Sequence, residues 1–546
     1  MPDELEQNLT PDQLADRLEF LHEKVAIMKV SNRCDLVGDL CLPTLLFAAL
    51  GGMSWAVRGC AGFGGSAGCI FAGVLWGAAW WFIARNGGQE PMRRYTSGWI
   101  VLAMTIGIGL SGARGWGQWP MFFEGKLQTN SAAGEFEPIS PVYGFVWLFI
   151  AGVPWAGIGA CLLAWCGSPR ETRAWHWAIR VACGIGGALL ARYLFREFPQ
   201  YFLPLYESLA DRYRDLDHNP NLRRLINDCG SAIQHLGFYL GLLAYECVRR
   251  DWKNVVLITT VGVVNGTGWA LCQNWKWVPD VWPNASFNWW RCWESSGGIS
   301  IGIAYALAWF LVNRRMSDHE LALVRSRRSI AGPNAEWLFV YLGLIATLGV
   351  YTMGGAGRWG MLYLAVLVGF GVAYYLLRGR AYASEPAPPT LAYGDPNLER
   401  FGLYLGLLIG LGFSLRNGIK GWLRLYYGNE EYYSAVLWQI FGPAILVGLI
   451  ALCVWTLFRP LPRNYRGDIF PHAAGLIWLV LILQNVIAQF VTGPLNQWDE
   501  FAFSIYYVLL FAITALIVLH YSSTARGRNK RTNGDNGGFD TPPLES

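Results

Sequence analysis

The sequence predicts an all-α, polytopic integral membrane bundle, and three observations carry that prediction. Of the 546 residues, 53% are hydrophobic and 15% charged, against ~25% charged in a typical soluble domain. Apolar runs of roughly 17 to 25 residues, the length that crosses a hydrocarbon layer as a helix, recur along nearly the whole chain. Glycine, with 64 residues, is well above its usual ~7%, and small residues are what allow helices to pack closely in lipid.

Taken from the N-terminus, residues 1–37 are charged. They carry an amphipathic helix (Leu14, Leu18, Leu21, Val25, Met28) opened by Thr10-Pro11-Asp12, a capped start rather than a signal peptide. This segment is expected in the cytosol, where its apolar stripe suits a partner or a second copy of the chain. About fourteen spans follow within residues 38–521, arranged as seven hairpins: 38–57, 62–84, 97–112, 141–166, 174–194, 231–248, 254–272, 297–312, 335–353, 359–377, 401–416, 434–458, 470–491 and 500–521. The second span has Gly64/Gly68 and Gly73/Gly77 spaced for close packing. The tail, 522–546, is basic and Gly/Asn-rich, the composition of a disordered segment.

Charge sets the expected orientation. Short cytoplasmic loops gather Lys and Arg, and alternate loops here do so, among them Arg93 and Arg94, Arg249, Arg250 and Lys253, and Arg459, Arg463 and Arg466. Both termini are therefore expected in the cytosol, with the protein in the cytoplasmic membrane. Outer loops then fall at 113–140, 195–230, 273–296 and 417–433. The stretch 195–230 mixes apolar and charged residues as an interfacial helical element would. The stretch from Asn274 to Gly298 holds six tryptophans. Tryptophan belts mark membrane interfaces, but six in one connection also suit a folded loop that stacks on a sugar or cation. Cys272 and Cys292 flank it closely enough to be bridged.

Several features recur. Outward spans end in small residues with arginine: Arg58, Arg114, Arg358 and Arg416. Inward spans begin with an acid and a nearby serine, as at Glu137 with Ser140, Asp228 with Ser231 and Glu431 with Ser434, and Glu294 precedes Ser295. Helix dipoles alone favour these placements; an outer ring of groups that holds an anionic ligand would use them too. Spans 1–4 and 9–12 resemble one another as a parallel duplication. In the matching fourth and twelfth spans the pattern breaks, at Trp147, Gly152, Pro154 and Trp155 and at Trp438, Gln439, Gly442 and Pro443. A proline frees a carbonyl that hydrocarbon cannot satisfy, so something polar must meet it, and paired broken helices point to a transporter site. Arg180, Arg192, His235 and Glu246 are ionisable groups inside spans; near the span ends, they suit snorkelling or two ion pairs, Arg180 with Glu246 and Arg192 with a near neighbour, as well as ligand or proton handling.

The twelve cysteines follow neither zinc nor CxxC spacing, so no metal and no cofactor is expected. Phosphate-binding, zincin and nucleophile-elbow motifs are absent from the sequence, which turns the reading away from an enzyme, and nothing suggests nucleic-acid binding. The function expected is a multi-pass transporter of a polar, anionic or saccharide solute, bound between spans 4 and 12. The candidate binding residues are Arg58, Arg114, Arg358, Arg416, Trp147, Trp155, Trp438, Gln439, Glu294 and Glu431. Two alternatives stand beside it. One is a membrane-embedded transferase acting on a lipid-linked glycan at the outer face, with Glu124, Glu294 or Glu431 as base. The other is a structural membrane scaffold.

Overall fold

The computed structural model describes residues 36–60, 66–85, 93–111, 119–168, 174–284, 287–313 and 498–535, with isolated helical positions at 402, 403, 406, 407, 478 and 482. Nine long helices lie in these residues: α1 (Leu42–Cys60), α2 (Ser66–Arg85), α3 (Trp99–Ser111), α4 (Val142–Gly167), α5 (Ala174–Glu197), α6 (Pro220–Val248), α7 (Trp252–Cys272), α8 (Trp289–Val312) and α9 (Trp498–Asp535). A π-helical turn, Val37–Cys41, leads into α1. Six segments are long and apolar enough to cross a membrane: Val37–Ala56, Val142–Cys166, Trp175–Glu197, Trp252–Val281, Trp289–Val312 and Phe501–Tyr521. The protein is thus an all-α membrane protein. Spans 9 to 13, apart from the isolated positions, and with them the duplication of spans 1–4, fall outside the described residues.

Six helices close into a ring in the order α1, α2, α3, α4, α7, α8 and back to α1. Neighbours run antiparallel. Along α1 and α8, for instance, Gly51 meets Gly298 while Phe47 meets Gly302. A Cβ on Gly298 would stand 2.0 Å from the Gly51 carbonyl oxygen, so only glycine permits this approach. The expected packing of Gly73 and Gly77 is present: their positions lie against the Met104 and Val101 backbone of α3. Gly64 lies outside the described residues. The α5–α6 hairpin packs outside the ring against α4, and α9 lies against α1. The other face of α5 (Ile185, Leu189, Leu190, Tyr193) is exposed and apolar, as a lipid-facing surface should be.

The ring has no open centre at its middle. Trp55 of α1, Trp76 of α2, Trp155 of α4, Trp269 of α7, and Trp293 and Tyr305 of α8 are each 0–3% exposed and touch across the axis. Ring centroids are 6.0 Å apart for Trp55–Trp155, 4.8 Å for Trp155–Trp269 and 5.1 Å for Trp269–Trp293.

Helix boundaries depart from expectation in several places. α6 begins at Pro220, eleven residues before the expected 231, because proline at the first turn starts a helix without losing a needed hydrogen bond. Asp228 and Ser231 are therefore inside α6 and not at its start. α8 begins at Trp289 rather than 297, opened by Asn288, whose side chain accepts from the Arg291 backbone N–H. α9 continues to Asp535, past the expected end at 521. No proline interrupts it. The stretch 273–296 is not an irregular loop: Gln273–Trp277 is a 3-10 helix and Val278–Val281 one further turn. An antiparallel hairpin, β1 (Lys126–Asn130) with β2 (Glu135–Pro138), is an addition to the all-helical expectation.

Candidate functional site

Three layers lie between the α1 C-terminal end and the α1 N-terminal end: a polar one shared with α9, an aromatic one inside the ring, and a polar one that reaches out to the α5–α6 hairpin. The first, at the end expected to face outward, is polar. Ser295 of α8 donates to the Gly52 carbonyl at 3.0 Å and shares a 2.8 Å bond with the Tyr506 hydroxyl of α9. Its neighbour Glu294 is 1% exposed, enclosed by the bundle because α8 starts early and carries it inward. Beside this layer, Trp275 Nε1 donates to Ser296 Oγ at 3.0 Å and Trp277 Nε1 to the Phe123 carbonyl at 2.9 Å. These bonds turn part of the tryptophan-rich stretch into a lid on the α7–α8 end. Trp293 instead joins the buried column, while Trp282 is exposed. No disulfide joins Cys272 to Cys292.

The aromatic column is the second layer, and the expected site residue Trp155 lies in it. Pro154 interrupts neither the run of α4 nor its burial. The carbonyls around it receive donors from three neighbouring helices: Asn265 Nδ2 of α7 to Gly152 at 2.6 Å, Ser111 Oγ of α3 to Trp155 at 2.5 Å, and Tyr305 Oη of α8 to Ala156 at 2.8 Å. These side chains meet carbonyls on either side of Pro154, while the carbonyl that the proline itself leaves without a helical donor is that of Ile150, four residues earlier. Trp147 lies closer to the hairpin end, stacked on Trp119 at 5.7 Å and 10°.

The third layer is a chain of hydrogen bonds at the opposite end, expected to face the cytosol. Arg180 Nε of α5 meets Glu246 Oε1 of α6 at 2.6 Å, with side chains 1% and 0% exposed. Asn254 Nδ2 of α7 donates to Glu246 Oε2 at 2.8 Å, and Tyr95 Oη to Asn254 Oδ1 at 2.8 Å. Tyr95 N donates to Asn313 Oδ1 at 3.2 Å, Arg93 Nη1 to the Asn313 carbonyl at 3.0 Å, and Arg93 Nη2 to Asp39 Oδ1 at 2.6 Å. The Arg180 guanidinium carbon lies 5.1 Å from the ring centres of both Trp165 and Trp177. A buried ion pair survives only with such extra partners, since desolvation otherwise exceeds the Coulomb gain.

Of the intramembrane charges, Arg180 and Glu246 form the ion pair that was one of the alternatives open from the sequence. Arg192 is exposed, and His235 Nδ1 is 2.9 Å from the Ser231 carbonyl. Of the expected site residues, Trp147, Trp155 and Glu294 are buried in the bundle. Arg58 lies in the last turn of α1, its side chain outside the described residues, as are Arg114, Arg358, Arg416, Trp438, Gln439 and Glu431 altogether. The Arg180–Asp39 chain enlists Tyr95, Asn254, Asn313, Arg93 and Asp39, none of which was anticipated as a site residue. Asn254 had a legible signal, an amide just inside an apolar span.

The hairpin and residues 199–219 form a cap at the first-layer end. Arg212 bonds Glu137 at 2.9 Å and Thr129 at 3.0 Å, and Asn130 Nδ2 donates to the His218 carbonyl at 2.8 Å. Burial pushes the Tyr213 phenol up, and its hydroxyl donates to the Pro204 carbonyl at 2.8 Å. Asp215 and His218 lie 2.8 Å apart; the shared hydrogen bond lowers the carboxyl and raises the imidazole from their ordinary values. Any support this pair gives the cap is lost as pH falls through the lowered Asp215 value or rises through the raised His218 value.

Fold and layers together define a polytopic helical membrane protein with a plugged six-helix ring. Comparison with known protein families, with curated proteins and with solved structures finds no match.

Proposed function

We propose that the chain is a multi-pass transporter for a polar solute, anionic or saccharide, whose path is bounded by α4 and the twelfth span. One observation carries this reading: a closed ring of six helices whose middle is filled by aromatic side chains in contact across it, with polar groups held between helices at either end of the bundle. The tryptophans meet tilted and edge-on, at 50° for Trp55–Trp155 and 83° for Trp55–Trp269, so rotation of one indole opens a gap beside the others.

A transferase would need unengaged acids gathered in one outer pocket. Among the described residues, Glu124 faces Lys276 at 3.8 Å, and Glu135 and Glu137 face Arg212 at 3.8 and 2.9 Å. Glu135 and Glu137 thus hold the cap, and Glu124 faces the Gln273–Trp277 turn.

Uptake by proteoliposomes tests the proposal, with a panel of sugars, sugar acids and short carboxylates. Saturable uptake of at least one class above protein-free vesicles is expected. Trp155→Ala, which opens the plug, should convert it to a leak that no longer saturates. Folded wild-type protein that takes up no member of the panel, yet transfers sugar to an added lipid-linked acceptor, would overturn the reading in favour of the transferase.

A further inference from the structure

In the cap and the first turns of α6, each arginine meets a carboxylate: Arg212 with Glu137, Arg214 with Asp211, Arg223 with Asp217 and Arg224 with Asp228. Two arginines at the same end of the molecule do not. Arg192 and Arg196 of α5 are exposed, and their side chains make no ion pair or hydrogen bond among the described residues. Glu197 follows Arg196 in sequence but projects about 100° further round the helix and pairs with neither.

A spacing of four residues sets the two guanidinium groups on one face, one turn apart, with β-carbons roughly 5–6 Å from each other. One phosphate fits between two such forks, which bind its oxygens as charge-assisted hydrogen bonds. The same stripe continues toward the middle of α5 through Leu189, Ile185 and Val181, all exposed and apolar. Beyond Arg196, Phe198 and Tyr201 are exposed aromatics of the kind that sit at headgroup level. Arg196 lies 21 residues (196 − 175) past the exposed Trp175, about 31 Å along the helix axis, which matches a ~30 Å hydrocarbon layer. The arginines thus stand where the phosphates of one leaflet lie. A zwitterionic lipid would bring its own ammonium against two uncompensated guanidinium groups, whereas a lipid of net negative charge brings none. We propose that Arg192 and Arg196 form a headgroup site for an anionic phospholipid, with an acyl chain lying along Leu189, Ile185 and Val181. The site lies outside the ring and does not depend on transport; lipid binding without any uptake would keep it and remove the function proposed above.

The experiment adds phosphatidylglycerol or phosphatidylcholine to the full-length protein in neutral detergent, and reads bound lipid by native mass spectrometry and stability by thermal melting. Phosphatidylglycerol should bind roughly tenfold more tightly and raise the melting temperature saturably. Arg192→Gln/Arg196→Gln changes only exposed side chains; it should melt like the wild type without added lipid and lose the preference. Arg192→Lys/Arg196→Lys should keep part of it. Arg214→Gln/Arg223→Gln removes the same charge from paired arginines and should leave it intact. Equal binding of the two lipids, an unchanged preference in Arg192→Gln/Arg196→Gln, or equal stabilisation by glycerol phosphate, which lacks acyl chains, would each overturn the proposal. So would cross-linking of two copies through Leu189→Cys in vesicles, which would put a second chain where the lipid is placed.

Discussion

Arg180 and Glu246 illustrate how a charge is kept inside an apolar bundle. Each carboxylate oxygen has its own donor and the guanidinium lies against two indoles, so removing one member leaves the other charged and unmatched. Arg180→Gln alone should therefore cost ~3–5 kcal/mol. Arg180→Gln with Glu246→Gln leaves two amides in hydrogen-bonding reach and should recover most of that loss. Thermal unfolding of the purified variants decides it: equal destabilisation by the single and double changes would mean that the charges do not act as a pair. This pair was one of the readings the sequence left open, beside snorkelling and ligand handling, because two ionisable groups toward the same ends of adjacent spans can meet. Tyr95 and Asn313 were not legible, since an uncharged polar residue near the end of a span looks like an ordinary boundary.

Elements are held together here by backbone-to-backbone approach, and α5 carries its own control. A Cβ on Gly187 would stand 2.2 Å from the Gly237 carbonyl oxygen of α6, whereas one on Gly186 would meet nothing within 4 Å. Gly187→Ala should cost ~1–3 kcal/mol as the hairpin is forced apart, while Gly186→Ala should stabilise by up to ~1 kcal/mol through helix propensity. Detergent melting curves that move the same way for both would show that α5 and α6 do not meet at Gly187. The existence of α1 to α8 and α9 could be read from apolar length alone. A helical element was expected within 195–230, but not its continuity with the span from 231, because Arg223, Arg224 and Asp228 mark an apparent end to the apolar run. The β-hairpin also left little trace: Gly125 and Gly134, at φ of 72° and 71°, mark its turns, but two strands of five and four residues are too short for alternation to stand out.

At the scale of the whole molecule, antiparallel alternation around the ring places the exposed β1–β2 turn and the α6–α7 turn at opposite ends. An epitope tag inserted between Ala132 and Ala133 should be reached from outside intact cells, and one after Arg250 only after permeabilisation. Labelling of both from the same side would dismantle the arrangement. Ring closure itself could not be foreseen, because periodicity within a helix says which face is apolar and not which distant helix covers it. The closing contact, Gly51 on Gly298, joins residues 247 positions apart in sequence (298 − 51). A ribosome adds ~5–20 residues per second, so α1 waits roughly 12–50 s in the bilayer before its permanent neighbour has been synthesised. During that interval the groove around Gly51 and Gly52 lies open, and the Gly52 carbonyl lacks the Ser295 donor that later meets it. The newborn chain therefore needs a temporary companion, an insertase or a lipid, to occupy the groove until α8 arrives, and mistakes in its biogenesis should concentrate at that seam.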